Sequence, residues 1–171
     1  KLLTTAPVTS ATPLKCIKTP DLFTIGAESQ AAATTARQIA LNADLVLFLT
    51  NGDLTATEYK YLETLRRASQ RVILVFDRVD RYLPDERTLI LQKLQSTVTG
   101  ILSPQDVVTA SSTPAPIKVR KVQADGTAIE TLEATPVEIG SLDRQLTNVL
   151  ATEGEKLVWA TTYRQVAGVQ T

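Results

Sequence analysis

Two short runs of the chain are apolar at every position. Leu45-Val46-Leu47-Phe48-Leu49 and Val72-Ile73-Leu74-Val75-Phe76 are bounded by polar residues and rich in branched and aromatic side chains. Runs of this kind predict strands buried on both faces, as in a parallel sheet covered by helices. Two weaker runs, Leu14-Lys15-Cys16-Ile17 and Val107-Val108-Thr109-Ala110, predict two further strands. Between the runs the apolar spacing lengthens to three and four. Ala32, Ala36, Ile39, Ala40 and Ala43 predict a helix over 28–43, and Tyr61, Leu62 and Leu65 another over 57–69. Asp53 or Thr55 caps the second, and Thr55 with Glu58 has the spacing of a capping box. A third helix starts at Pro84, with Asp85 and Glu86 in its first turn. Its apolar face is Leu89, Ile90, Leu94 and Val98, and it stops at Gly100. Alternating strands and helices predict a three-layer α/β fold, with a mostly parallel sheet and right-handed crossovers placing helices on both faces.

The pattern changes after residue 113. Ile117-Lys118-Val119-Arg120-Lys121-Val122 alternates with period two, Ala124-Asp125-Gly126 is a turn signal, and alternation resumes at Ala128. This predicts a β-hairpin over 117–133, flanked by Pro114, Pro116 and Pro136 and inserted before the last core helix. That helix runs from about Ser141 to Leu150, with Leu142, Leu146, Val149 and Leu150 inward, and Gly154 ends or kinks it. The domain reading is therefore an α/β body over 1–153 and a helical extension or linker over 154–171. Trp159 and Tyr163 in the extension form either a docking stripe for a neighbouring domain or ordinary packing on the core.

Composition narrows the class. The 171 residues are 43% hydrophobic and 21% charged, as expected of a soluble globular chain. Lys and Arg total 18 and Asp and Glu total 18, so charge gives no reason to expect nucleic acid or an acidic membrane surface as the main partner. There is no histidine, which removes imidazole bases and His metal ligands. The single cysteine, Cys16, excludes an internal disulfide and is expected as a small buried hydrophobe in its strand. No apolar run approaches the roughly 18 residues of a membrane span, and no signal peptide opens the chain. This points to a cytoplasmic setting, with membrane association only through segments outside the chain. The chain starts at Lys1 and contains no methionine, so it is expected to be a piece of something longer.

Ligands of parallel α/β sheets bind at the carboxyl ends of the strands. The residues there are Lys18-Thr19-Pro20-Asp21, Thr50-Asn51-Gly52-Asp53, Asp77-Arg78-Val79-Asp80 and Ala110-Ser111-Ser112. The third set is the most informative. A carboxylate at such a strand end can accept two hydrogen bonds from a flat donor pair, such as N1–H and the amino group of guanine. Arg78 can lay its guanidinium plane along the base. The bland alternative is a loop of solvated acids paired to Arg78 and Arg81. For Lys18 the alternatives are a phosphate contact and an ordinary surface lysine. The basic strand Lys118, Arg120 and Lys121 is balanced by Glu130 and Glu133, as on a solvated hairpin face.

These motifs, in this order and spacing, resemble the G domain of the bacterial Era- and TrmE-like GTPases. The resemblance is nearest to the large GTP-binding proteins with a membrane-associated helical domain after the G domain. It covers roughly residues 14–153. Lys18-Thr19-Pro20-Asp21 corresponds to Asp-Thr-Pro-Gly of that family, and Ala43-Asp44-Leu45-Val46-Leu47-Phe48-Leu49 to its next strand. Asp77-Arg78-Val79-Asp80 corresponds to Asn-Lys-Val-Asp, and Thr109-Ala110-Ser111 to its Ser-Ala segment. The resemblance implies guanine-side residues Asp77, Arg78, Asp80, Ala110 and Ser111, with Ser111 supporting the base carbonyl through its N–H. It implies phosphate-side residues Lys18, Thr19, Pro20 and Asp21, GTP or GDP as ligand, and a conformational switch over 19–28.

The departures from the family are as informative. The Gly-x-x-x-x-Gly-Lys-Ser/Thr phosphate loop is absent, and with it the backbone N–H cradle for the β- and γ-phosphates. Lys18 stands where the family has a Mg²⁺-side aspartate, and a cation does not hold Mg²⁺. Asp21 replaces the glycine that meets the γ-phosphate, and two unit charges roughly 4 Å apart cost about 4 kcal/mol at an effective dielectric of about 20. Asp77 replaces an asparagine and loses an amide donor. Together these changes argue against Mg²⁺-dependent GTP hydrolysis by this chain. The expectation is a degenerate guanine-nucleotide-binding domain, or a fragment whose phosphate loop lies upstream. The alternative is a pseudo-GTPase interaction or scaffold module that binds no nucleotide. A flavodoxin- or receiver-like domain ranks below both, because no paired acids follow an early strand.

Overall fold

The computed structural model describes residues 14–19, 27–122 and 128–168. Three parallel strands form the sheet in the order β1 (Val46–Thr50), β2 (Val72–Phe76) and β3 (Val107–Thr109). Val46 stands beside Val72 and Thr50 beside Phe76, while Leu74 stands beside Val107 and Phe76 beside Thr109. Every residue of the central strand β2 is buried. The strands alternate with helices α1 (Ala27–Asn42), α2 (Ala56–Arg67) and α3 (Pro84–Thr97), and α4 (Gly140–Gly168) closes the chain.

The pleat divides the core in two. Phe48, Leu74, Phe76 and Val107 point to one face and meet Ala40 of α1, Leu62 and Leu65 of α2, and Leu94 and Val98 beside α3. Ile73, Val75 and Val108 point to the other face and meet Val149 of α4, with Leu142 and Leu157 packed around them. Helices thus lie on both faces, as the alternation of elements requires.

Local chemistry fixes the helix ends. Glu58 N–H donates to Thr55 Oγ1 at 3.2 Å and Thr55 N–H to Glu58 Oε2 at 2.7 Å, completing the capping box that starts α2. Pro84 occupies the first turn of α3, and Leu83 N–H donates to Glu86 Oε2 at 2.9 Å.

Charged groups tie α4 to the amino ends of the strands. The Arg71 guanidinium, before β2, is 2.8 Å from Asp106 and 2.9 Å from Glu153 of α4. Gln145 Nε2 also donates to Asp106 at 2.9 Å. Burial opposes the charge on Arg71, but the two carboxylates outweigh it and hold the guanidinium protonated. Further along α4, Arg164 donates to Ser69 O at 3.0 Å and to Gln70 Oε1 at 3.3 Å.

Several expectations are corrected. Residues 14–17 form no strand: Leu14 and Ile17 are 49% and 56% exposed, and Cys16 is exposed rather than buried. Lys15 interrupts this run, and no described strand pairs with it. β1 is not buried on both faces. Leu47 and Leu49 lie on the α4 side and are 37% and 58% exposed, because α4 covers the columns of β2 and β3 but not that of β1. Among the described residues β1 is an edge strand. Leu89 points to solvent, leaving Leu94 and Val98 as the buried positions beside α3. Gly154 does not end the last helix, which continues to Gly168 with Leu157 and Thr161 packed on the body. A helical glycine costs roughly 1 kcal/mol, which contacts on either side of it offset. Trp159 and Tyr163 are exposed rather than packed on the core.

The hairpin insertion is present as β4 (Ile117–Val122) and β5 (Ala128–Glu133), paired antiparallel with Arg120 opposite Glu130. Lys121 pairs with Glu133 at 2.7 Å, as expected of a solvated ribbon face. Its turn, at Ala124-Asp125-Gly126, lies outside the described residues. So do Pro20 and Asp21.

Candidate functional site

The carboxyl ends of β2 and β3 lie side by side, and the loops that follow them interlock. After β2 the backbone reverses through Arg78, which adopts the left-handed conformation with φ of 58°. A one-turn 3-10 helix follows over Val79–Arg81. Val79 is buried in the core and its N–H donates to Ala110 O at 3.2 Å, anchoring the turn. The arrangement leaves Arg78 exposed and directs both Asp77 and Asp80 toward the loop after β3.

Each carboxylate is held from that loop. Asp80 accepts from the Ser111 hydroxyl through Oδ1 and from Ala115 N–H at 3.3 Å through Oδ2. The Ser111 hydroxyl holds the Asp80 carboxyl below the usual carboxylate range, against a smaller opposing effect of burial. Asp77, almost fully buried, accepts from Ser112 N–H at 3.3 Å and from the Ser112 hydroxyl at 3.4 Å. Ser112 therefore supplies the donors to Asp77.

The loop's own N–H groups are engaged. Ala110 N–H donates to Phe76 O at 2.8 Å, continuing the sheet. Ser111 N–H donates to Glu138 O at 2.6 Å, and Glu138 N–H returns a bond to Ser111 O at 3.0 Å. This antiparallel bridge lays the segment that returns from the hairpin across the strand ends. Arg87 of α3 braces it, reaching Tyr82 O at 2.9 Å and Glu138 Oε2 at 3.4 Å.

The loop after β1 forms the adjoining wall. Tyr82 Oη donates to Asn51 O at 2.6 Å, and Thr50 Oγ1 donates to Gly52 O at 3.1 Å. Gly52 has φ of 152°, and a Cβ there would meet Tyr82 Oη at 3.2 Å. Asp53 is drawn away to Lys93 of α3.

The structure thus brings Asp77, Asp80, Ala110 and Ser111 together, with Arg78 exposed beside them. Lys18 is exposed and Thr19 half-buried, and neither is bonded to this cluster. Sequence patterns placed Ser112 at the strand end without a partner and did not single out Tyr82, Arg87 or Glu138. Glu138 carries no local signal, because its role arises only when the hairpin closes. Among the described residues no three His, Cys, Asp or Glu side chains converge to hold a metal ion. Lys18, a cation, supplies no ligand for Mg²⁺ either. No described helix is long and apolar enough to cross a membrane. No family model matches the chain, and no curated protein or solved structure matches it.

Proposed function

We propose that this chain carries the base-side half of a guanine-nucleotide-binding domain and does not itself hydrolyse GTP. One observation carries the reading: Asp80 and Ser111, from the ends of adjacent parallel strands, share a hydrogen bond beside the exposed Arg78. A carboxylate kept ionised at such a strand end is an acceptor for the paired N–H donors of guanine. Arg78 flanks the base, and Asp77 with Ser112 forms the adjoining wall. Lys18 and Thr19 stand on the phosphate side of this reading, with Pro20 and Asp21 following them. The sequence departures at Lys18 and Asp21 support binding without turnover.

A second reading has a specific observation in its favour. Ser111 N–H, the donor a base carbonyl needs, is already bonded to Glu138 O. A non-catalytic interaction module, derived from the same fold and empty of nucleotide, accounts for a loop closed on itself.

Thermal denaturation of the chain with GDP or ADP in excess separates the two. The nucleotide reading expects GDP to raise the midpoint and ADP to leave it unchanged. Equal behaviour of GDP and ADP, at concentrations up to millimolar, would support the interaction module instead.

A further inference from the structure

We infer that the segment over 135–138 is a displaceable strap whose closed position blocks the base-side site. This inference rests on the guanine-nucleotide reading and names how that site is controlled. Three attachments hold the strap. The Ser111–Glu138 bridge occupies both main-chain groups of Ser111, at 2.6 and 3.0 Å. Arg87 grips the Glu138 carboxylate at 3.4 Å while donating to Tyr82 O, in the loop after β2, at 2.9 Å. Thr135 Oγ1 donates to Ala115 O at 2.7 Å, and Ala115 N–H in turn bonds Asp80. The strap therefore touches the groups on both sides of the Asp80 carboxylate and takes the one N–H that the base carbonyl requires.

The strap is built to release. Its attachments are one isolated bridge and two contacts to half-buried or exposed residues. An isolated bridge lacks the neighbouring rungs that make a sheet cooperative. Pro136 withholds a backbone donor at one end, so no second rung can form there from its nitrogen. The strap follows β5 directly, and the ladder of β4 and β5 ends at Ile117 and Glu133, before 115–116 on one limb and the strap on the other. Ile117 and Leu132 at the hairpin base are 54% and 65% exposed, so little of the ribbon is anchored to the body. Displacing the ribbon would draw the strap off Ser111 without disturbing β2 or β3. When the competent state is only a fraction of the population, apparent affinity falls by that fraction.

The test is Glu138→Pro in the full chain. It removes the donor to Ser111 O and the Arg87 partner together, leaving the Ser111 N–H bond to the carbonyl of residue 138 without its reciprocal partner or its brace. Anisotropy of fluorescently labelled GDP reads affinity, and NMR hydrogen exchange reads the Ser111 amide. The expected result is GDP binding about tenfold tighter, with faster Ser111 exchange. Glu138→Ala keeps the backbone bridge and loses only the ion pair. It provides the measurement if the proline variant does not fold, with an expected gain of about twofold. Wild-type binding that neither substitution changes overturns the strap and leaves the nucleotide reading standing. Faster Ser111 exchange with no GDP bound to any chain overturns both.

Discussion

The Ser111 hydroxyl donates to the Asp80 carboxylate across two adjacent strand ends, joining residues far apart in sequence. The two loops are consequently one unit, and a change in either is felt in the other. The same carboxylate that would receive a base also fixes the loop after β3. Removing it therefore has two separable effects, one on the ligand and one on the fold.

Asp80→Asn tests the first effect. The amide retains one oxygen acceptor but lacks the charge, and it presents an NH₂ toward donors. Hydrogen bonds to charged groups contribute about 1.5–3 kcal/mol. The GDP dissociation constant, read by titration calorimetry, should rise by about tenfold to a hundredfold. Unchanged GDP affinity would remove Asp80 from the base site.

The second effect depends on pH. The folded-state pKa of Asp80 is depressed, chiefly by the Ser111 hydroxyl, relative to the unfolded chain. Its contribution to stability is therefore present above the unfolded value, about 3.9, and lost as pH falls through the lower folded value. Urea denaturation of the wild type and Asp80→Asn should differ at pH 6 and converge toward pH 2. A gap that stays constant over that range would assign the effect to something other than this carboxylate.

At the opposite end of the sheet, Asp106→Ala strips Arg71 and Gln145 of a shared acceptor. Glu153 still compensates part of the Arg71 charge. Breaking a buried pair by removing one partner costs about 3–5 kcal/mol, and the remaining carboxylate reduces this to about 2 kcal/mol. Urea denaturation should show that loss. GDP binding should not change beyond it, since this network is remote from the strand ends that carry the candidate site.

Gly52→Ala crowds Tyr82, whose hydroxyl oxygen lies 3.2 Å from the position a Cβ would take. The hydroxyl is also bonded to Asn51 O, so it cannot move without losing that contact. The substitution should cost about 1–2 kcal/mol. In a Tyr82→Phe background the obstructing oxygen is gone, so the added cost of Gly52→Ala should fall, leaving the part due to the backbone φ of 152° at that position. A double-mutant cycle on thermal midpoints measures this coupling, and strict additivity would refute the contact.

Much of the frame was legible in the chain itself. Val72–Phe76 is apolar at every position because it lies between two layers, and no local detail disturbs that signal. The Thr55–Glu58 capping box was legible because both partners sit within one turn. The clustering of Asp77, Asp80 and Ser111 followed from a topological rule about strand ends. The failures have physical causes too. Leu14-Lys15-Cys16-Ile17 has strand composition, but a strand needs a neighbour, and pairing is not a property of four residues. Gly154 reads as a stop in isolation, yet Glu153 and Leu157 anchor the helix on either side of it. Glu138 was invisible because it meets Ser111 only through the closure of the intervening hairpin.

The flank of β1 that no described strand pairs bears on how the chain behaves in concentrated solution. Val46 N–H and Thr50 O are bonded toward β2, so by alternation the main-chain groups of Leu47 and Leu49 point outward. Among the described residues no lysine, proline or bulge protects that edge, and two leucines stand exposed along it. Left unpaired, an edge of this kind recruits other strands and promotes clouding of concentrated solutions. Leu49→Lys should keep the chain clear at higher concentration while moving the unfolding midpoint little, because that side chain buries little here. Light scattering over time, beside a melting curve, would separate the two effects.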